Sequence, residues 1–199
     1  NMVVGYGKNS VMSYFGNGSE FGATIVYNLQ EERTGTLDAM NIGMEGIADE
    51  FILVPGDNYV SGDSFKRLRN CNGPALLSGK ANRWSKWGEI ELEKSKPRIT
   101  FDNPDAYGRV HFTGIVKLNR NLAQDLINNS GRHIGESLQK ILPNTNFEVI
   151  ESTNWHNIVY PWDLISGNRM SFNDNLLYRN GKIENNVILK GDVSIGKGT

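Results

Sequence analysis

The sequence lacks several features that mark particular classes of protein. It contains a single cysteine, Cys71, among 199 residues, so an internal disulfide framework is excluded and an inert thiol is expected. No apolar run approaches the roughly 18 residues that a membrane-spanning helix requires, and the first residues do not form a secretory signal. These absences predict a cytoplasmic protein that has no membrane partner.

Neither sign of charge is in excess, and the common catalytic motifs are missing. The chain has 21 basic and 22 acidic residues and a net charge of -1. Because duplex nucleic acid is bound by basic patches, nucleic acid is not an expected partner. The three histidines share no ligand spacing, and no serine lies in a nucleophile-elbow context. A zinc site and covalent hydrolysis therefore have no support.

The order of apolar runs predicts an α/β fold. Strand-like runs cover residues 2–6, 23–29 and 51–54, and an amphipathic helix pattern covers residues 36–47. This alternation is typical of βαβ units and of a mainly parallel sheet. Short alternating runs between residues 75 and 114 predict antiparallel strands or hairpins at the edge of that sheet.

The second half of the chain continues the alternation of strands and helices. A longer strand is predicted over residues 110–118 and another over residues 147–150. Two helices are predicted between them, and Pro161 is expected to open a last amphipathic helix, because proline suits the first helical position. The predicted elements are helices at residues 122–127 and 134–142, with Pro143 closing the second.

Residues 183–199 have a different pattern. Ile183, Leu189 and Ile195 recur every six residues, and Val187 and Val193 recur at a second phase. This period fits a parallel β-helix, although three matches leave a chance pattern open. We therefore expect one domain over residues 1–175 and the first β-helix coils over residues 176–199. The abrupt ends of the pattern predict that the chain is a piece of a longer protein.

Polar loops follow two of the predicted strands. Residues 30–39 begin with Gln30 and contain Gly35 and Thr36, while Asp57 follows the apolar run 51–55. Ligands of open α/β sheets bind outside the carboxyl ends of the strands. An amide, a glycine and a hydroxyl at one loop, with a carboxylate at the next, predict a nucleotide site beside a Mg²⁺ ion.

Taken in order, these motifs resemble the sugar-1-phosphate nucleotidylyltransferase family, the nucleotide-sugar pyrophosphorylases. The likeness is greatest to its archaeal two-domain members, which carry a C-terminal left-handed β-helix. The resemblance rests on Val3 to Tyr6, Gln30 to Ala39, Gly56 to Asn58, Thr113 to Ile115, Trp155, Pro161 to Leu164, and the six-residue repeats. It implies a Rossmann-like, mainly parallel or mixed sheet of the nucleotide-diphospho-sugar transferase type.

The resemblance also implies a reaction and a set of site residues. A sugar-1-phosphate oxygen would attack the α-phosphorus of UTP or dTTP, releasing pyrophosphate, with Mg²⁺ as cofactor. The residues that match the family's motifs are Gln30, Gly35 and Thr36 for the nucleotide; Gly88, Asp102, Asn103, Thr113 and Gly114 for the sugar; and Asp57 and Asn157 for the metal and catalysis.

The chain departs from the family pattern at three places. The glycine-rich phosphate loop is absent, Asn103 stands where the family has lysine, and Asn157 stands where it has an acid. Two other functions therefore remain open for the longer protein. One is a non-catalytic, regulatory protein that binds nucleotide-sugars. The other is acetyl transfer to an amino sugar by the β-helix, whose trimeric packing predicts a homo-oligomer.

Each candidate residue also has a purely structural interpretation. Gln30 fits an exposed turn, Thr36 fits a helix N-cap, and Asp57 fits a Gly-Asp-Asn turn. An acid at Asp163 offsets the helix dipole, which we take as its role. Trp155 and Trp162 are expected to pack in the core, with a sugar-stacking platform as the lesser option.

Overall fold

The computed structural model describes residues 1–32, 34–80, 87–101, 108–129, 133–174, 180–191 and 193–198. The strands are β1 (Met2–Val4), β2 (Tyr27–Leu29), β3 (Glu50–Leu53), β4 (Asn58–Val60), β5 (Ala75–Lys80), β6 (Glu89–Glu93), β7 (Lys96–Thr100), β8 (Val110–Asn119), β9 (Glu148–Glu151) and β10 (Trp155–Asn157). The helices are α1 (Lys8–Phe15), α2 (Thr36–Gly43), α3 (Gly62–Arg69), α4 (Arg120–Asn128), α5 (Ile134–Ile141) and α6 (Asp163–Asp174).

Strand β8 is the centre of the main sheet. It is buried from His111 to Leu118 and pairs along one edge with β5 in antiparallel orientation. Its other edge is shared, because β3 pairs near Leu118 and β6 pairs at His111. Strand β9 runs parallel to β5, and β7 forms a hairpin with β6. The sheet is therefore mixed, and the predicted α/β fold is confirmed.

One strand lies in a different place from the one its sequence predicts. The hairpin expected between residues 75 and 114 is present as β6 and β7. Strand β5, however, was expected at an edge and instead lies inside the sheet, between β8 and β9. Its residues Ala75 to Gly79 are all buried. A short apolar run is typical of an interior strand that is covered on both faces, which is the physical reason for the difference.

Helices cover both faces of this sheet. The larger core joins β8 to α2, α4 and α5, through side chains such as Phe112, Leu126 and Leu138 that are fully buried. A smaller core places α3 on the other face, where Leu68 meets Ile115. Helix α4 begins at Arg120, two residues before its predicted start, because the Asn119 side chain caps it by accepting a hydrogen bond from the Leu122 N–H at 2.9 Å.

Two strand pairs lie outside the main sheet. Strands β1 and β2 pair in parallel, and β4 and β10 pair in antiparallel orientation. Helix α2 packs beside the first pair, since the Asn28 Nδ2 donates to the Ile42 carbonyl at 2.9 Å. None of the helices in the described ranges is long and apolar enough to cross a membrane.

Residues 180–198 have little regular structure where they are described. The Asn180 N–H donates to the Ile195 carbonyl at 2.9 Å, and backbone turns with positive φ occur at Asn186, Gly191 and Gly198. Ile188 is 80% exposed. The β-helix and the domain boundary at residue 175 therefore stay predictions.

Candidate functional site

The two predicted metal ligands lie side by side although 100 residues separate them. Strand β4 follows Asp57 and pairs with β10, which ends at Asn157. The Asn157 Nδ2 donates to the Asp57 carbonyl at 3.0 Å, and the Ile158 N–H donates to the same oxygen at 2.8 Å. These bonds anchor the Asn157 amide nitrogen on the backbone of residue 57, so the two residues predicted to supply oxygen ligands meet at the β4–β10 junction. The Asp57 Oδ1 also accepts a hydrogen bond from the Asn58 Nδ2 at 3.4 Å.

Asn58 and Trp155 hold this pair of strands in place. The Trp155 Nε1 donates to the Asn58 Oδ1 at 2.7 Å, and the indole is only 7% exposed. Its ring lies against Gly79, where an added Cβ would come within 2.8 Å of the Trp155 Cε3. The core role predicted for Trp155 is confirmed, and Asn58 is a site residue that the sequence did not single out.

Asp163 stabilises the loop that follows Asn157. Its Oδ2 accepts hydrogen bonds from the Val159 N–H at 2.9 Å and from the Tyr160 N–H at 2.8 Å. The carboxylate is 4% exposed and lies in the first turn of α6. The structural role predicted for it is confirmed, although it acts by capping a loop in addition to offsetting the dipole.

Trp162 is exposed, and the prediction that it packs in the core is wrong. Its side chain is 62% exposed and stacks on Tyr160, with ring centroids 4.7 Å apart and an interplanar angle of 16°. Residues 161–162 form a turn, so α6 begins at Asp163 and not at Pro161 as the sequence predicts, and Tyr160 is exposed beside Trp162. The sugar-stacking platform near Asn157 stays a prediction.

Gln30 is held by a small polar cluster at the end of β2. Its Nε2 donates to the Asp38 Oδ2 at 2.8 Å and to the Gly35 carbonyl at 3.2 Å. Thr34 also donates to Asp38, at 2.5 Å. The hydrogen bonds from Thr34 and Gln30 lower the pKa of the Asp38 carboxyl, and the one from Thr34 has the larger effect. The four-residue spacing of Thr34 and Asp38 is the signal that would have identified this cluster.

The amide of Gln30 is therefore oriented by its own chain. Because its nitrogen is bound to Asp38, the Oε1 is the atom left for a ligand; within the described residues it accepts no hydrogen bond. Helix α2 begins directly after this cluster, with Gly35 as its N-cap and Thr36 as its first residue. The interpretation of Thr36 as the N-cap is thus wrong. Gly35 has φ 115° and ψ -178°, a conformation that essentially only glycine adopts.

Two glycines bring the predicted sugar segments next to the metal loop. Gly114 has φ 82°, and an added Cβ would lie 2.8 Å from the Pro55 Cγ and 2.8 Å from the Trp87 Cε2. Trp87 precedes Gly88, and Pro55 precedes the Gly56-Asp57 turn. The carbonyl of Gly88 accepts a hydrogen bond from the Phe112 N–H at 3.0 Å. Only a glycine allows these three segments to approach so closely.

The Thr113 side chain makes its hydrogen bonds inside the sheet. Its Oγ1 donates to the Leu77 carbonyl at 2.9 Å and accepts from the Ile115 N–H at 3.2 Å, and the residue is fully buried. A sugar contact at this position would therefore involve the backbone. Asp102 and Asn103, the other predicted sugar residues, lie outside the described residues.

A buried polar pair lies further along the same sheet. His111 faces Glu89 across the β8–β6 pairing, and the Glu89 Oε1 lies 2.8 Å from the Arg109 Nη1. His111 is 2% exposed, and within the described ranges neither of its ring nitrogens makes a hydrogen bond. Burial lowers the pKa of His111, and this effect outweighs the opposing effect of Glu89. The imidazole is thus neutral at pH 7.

The donor atoms at Asp57 and Asn157 fit Mg²⁺ in chemistry but are few. Hard oxygen ligands suit Mg²⁺, which often takes only one or two carboxylates from the protein and completes its shell with water and substrate phosphates. In the described part of the chain, no group of three or more His, Cys, Asp or Glu residues is placed to hold a metal. A metal at this site would therefore depend on its substrate for further ligands.

The architecture matches that of solved sugar-phosphate nucleotidylyltransferases. A Bacillus anthracis protein described as a glucose-1-phosphate thymidylyltransferase superposes with a TM-score of 0.72 over 85% of this chain and 74% of its own, at 19% identity. The inositol-1-phosphate CTP transferase from T. maritima superposes with a TM-score of 0.66 over the same shares, at 16% identity. The fold class predicted from the motifs is confirmed.

Relatives in sequence are archaeal proteins named Bifunctional protein GlmU. The protein from Methanococcus maripaludis strain C7 is 30% identical over 207 residues, which cover 99% of this chain and 49% of the relative. That from Methanocaldococcus jannaschii is 24% identical over the same shares. No family model matches the chain. The predicted resemblance to this group of proteins is confirmed, and the chain spans about half the length of the curated relatives it matches.

Proposed function

We propose that the protein to which this chain belongs transfers a nucleotidyl group from UTP or dTTP to a sugar-1-phosphate, producing a nucleotide-sugar and pyrophosphate. The observation that carries the proposal is the junction of β4 and β10, where Asp57 and Asn157 meet across 100 residues of sequence. Its position beside the Pro55, Trp87 and Gly114 contact supports a site at which nucleotide, metal and sugar phosphate converge. The likeness to GlmU proteins supports the same conclusion.

The base is selected at Gln30. Uracil and thymine present an N3–H donor between two carbonyl oxygens, and the Gln30 Oε1 is a suitable acceptor for that N–H. The hydrogen bond from its Nε2 to Asp38 prevents the amide from rotating by 180°. Gly35 leaves space for the ribose because it has no side chain at the start of α2. This arrangement favours a pyrimidine that carries an N3–H over cytosine.

The phosphates of the nucleotide bind next to Asp57. A bound Mg²⁺ would neutralise phosphate charge and orient the α-phosphate for in-line attack. The Asn157 side chain is held by its hydrogen bond to the Asp57 carbonyl, and the Asp57 Oδ1 accepts a hydrogen bond from the Asn58 Nδ2 at 3.4 Å. Both side chains are therefore oriented before the substrates bind. The sugar would lie along Gly88 and Gly114, where glycines permit contact with backbone atoms. Asp102 and Asn103 are proposed to contact it as well.

The proposal is tested by measuring pyrophosphate release in the full-length gene product. UTP or dTTP is supplied with glucose-1-phosphate and Mg²⁺, and the Asp57→Asn variant is compared with the natural sequence. Removing this carboxylate is expected to lower kcat/KM by at least about 100-fold, the usual effect of deleting one electrostatic contact in a polar active site. Asp125→Asn, an exposed acid on α4, is the matched control and should keep full activity.

Other results would support the two alternative functions. If no nucleotide and sugar phosphate pair yields pyrophosphate, the transferase proposal fails. If calorimetry shows that the same sample binds UDP-glucose, a non-catalytic binding protein is favoured. A metal site with a single carboxylate is also consistent with that function. Turnover of acetyl-CoA would place the main activity in the β-helix that the six-residue repeats predict.

A further inference from the structure

A cavity of about 560 Å³ lies between the β6–β7 hairpin and the end of α5. Its volume is within the range of sites that hold small organic ligands. The lining residues come from two parts of the chain, the hairpin within residues 93–99 and the segment within residues 139–143. None of the described residues of the candidate functional site lines it. The cavity is therefore separate from the junction of Asp57 and Asn157.

Basic side chains gather at this cavity. Lys94, Lys96 and Arg98 line it, and Glu93 is the one acid among the described lining residues. The lining thus has an excess of positive charge, although the whole chain has 21 basic and 22 acidic residues. A local excess of this kind attracts anions. A phosphate monoester, which carries about two negative charges at pH 7, would balance it.

Two of the three cations are oriented by their own chain. The Lys96 Nζ donates to the Pro143 carbonyl at 2.5 Å, and the Arg98 Nη1 lies 3.6 Å from the Glu93 Oε2. A neutral carbonyl does not cancel the charge of the lysine. The ion pair of Arg98 is weak, because its side chains are 63% and 67% exposed. Both cations are therefore positioned at the cavity and remain able to bind a stronger anion.

The hairpin turn presents Lys94 in an unusual backbone conformation. Lys94 has φ 49° and Ser95 has φ 66°. Two-residue hairpin turns that need a positive φ at both positions usually contain Asn-Gly or Asp-Gly, because other side chains are strained there. Strained residues of this kind are concentrated at active sites and at sites that clamp a ligand. The conformation of Lys94 therefore supports a binding role for this turn.

The cavity suits a small molecule better than a peptide strand. Strand β7 is at the edge of the main sheet, and an open edge can bind another strand. The Gln139 Nε2, however, donates to the Ile99 carbonyl at 2.5 Å, so the backbone of Ile99 points away from β6. Pro97 points the same way, since alternate residues share one edge, and it has no N–H. An added strand would find one acceptor occupied and one donor missing.

The remaining lining is apolar. Its members are Pro97, Ile99, Leu142 and Pro143. Inorganic phosphate alone would leave this surface uncovered, whereas a phosphate joined to an apolar or ring group would cover it. Ligand sites commonly combine such an apolar wall with a few charged groups that fix the orientation of the ligand.

We propose that this cavity binds a small organic phosphate. The phosphate lies between Lys94, Lys96 and Arg98, and the apolar or ring part of the ligand packs against Pro143. The proposal does not depend on the activity proposed for Asp57 and Asn157, because the two places share no described residue.

Isothermal titration calorimetry of the full-length gene product with phenyl phosphate tests the proposal. This probe carries a phosphate and an apolar ring and is not one of the proposed substrates. Saturable binding is expected, and Lys96→Gln and Arg98→Gln should each weaken it by at least about 10-fold, because each removes a charged contact with the phosphate. Lys66→Gln, at an exposed lysine of α3, is the matched control and should bind as the natural protein does.

Two further measurements make the result specific. Glutamine at position 96 keeps a donor for the Pro143 carbonyl, so the variant should stay folded, which circular dichroism checks. Phenylacetate has a similar ring but a single negative charge, and it should bind at least about 5-fold more weakly than phenyl phosphate. Asp57→Asn should leave the affinity for phenyl phosphate unchanged, whether or not the protein is a transferase.

The proposal fails in any of four cases. The absence of saturable heat would show that the cavity binds no ligand of this class. Equal affinity of the Lys96, Arg98 and Lys66 variants would place the phosphate elsewhere on the protein. A loss on Asp57→Asn as large as that on Lys96→Gln would assign the binding to the candidate functional site. Phenylacetate binding as tightly as phenyl phosphate would contradict the assignment of a phosphate.

Discussion

Replacing Gly114 by alanine should destabilise the protein by two separable effects. The residue has φ 82°, and its added Cβ would lie 2.8 Å from both the Pro55 Cγ and the Trp87 Cε2. A left-handed backbone costs an L-residue about 1–2 kcal/mol. Overpacking against two rigid rings costs a further 1–3 kcal/mol, roughly. The sum predicts a loss of about 2–5 kcal/mol in the free energy of unfolding.

Two glycine variants separate these contributions. Gly46 has φ 67° with no atom within 4 Å of an added Cβ, and Gly73 is equally open without a positive φ. Gly46→Ala should therefore cost about 1–2 kcal/mol, and Gly73→Ala should stay within about 0.5 kcal/mol. Urea unfolding followed by tryptophan fluorescence measures all three variants. The reasoning is refuted if Gly114→Ala is no worse than Gly46→Ala, because the contact with Pro55 and Trp87 would then be absent.

Two further substitutions test the buried polar groups. Asp163→Ala removes the acceptor for the Val159 and Tyr160 N–H groups and should cost about 2–4 kcal/mol in urea unfolding, with Asp163→Asn closer to the natural protein; equal stability of all three would contradict the capping role. His111 has its pKa lowered by burial, so the unfolded chain takes up a proton first and stability falls as the pH drops below about 6.5. Glutamine does not titrate, so His111→Gln should reduce the loss of stability between about pH 7.5 and pH 5.5. An unchanged pH dependence of stability would contradict the role assigned to His111.

The elements that follow from local pattern were predictable. Helices α4 and α5 have apolar residues at helical spacing, and strand β8 is a long segment in which most residues are apolar. The loop that begins at Gln30 and the turn that contains Asp57 were identified because polar side chains follow apolar runs at both places. Such signals are contained within about ten residues, so no knowledge of distant partners is needed to detect them.

Features that depend on distant partners were predicted less well. The interior position of β5 depends on β8 and β9, more than 30 residues away along the chain. The exposure of Trp162 depends on how α6 packs, which its apolar character does not reveal. The Asp38 contact with Gln30 is a different case, because the two residues are eight positions apart. It was overlooked although the four-residue spacing of Thr34 and Asp38 indicates it.

The sequence by itself determined the α/β class, the positions of most helices and strands, and the resemblance to nucleotidylyltransferases, since all of these depend on local order and spacing. The tertiary structure alone decided that Asn157 is anchored on the Asp57 backbone and that the Thr113 hydroxyl is hydrogen-bonded inside the sheet. Hydrogen bonds between strands join residues about 35 to 100 positions apart, and only the folded sheet brings those residues within bonding distance.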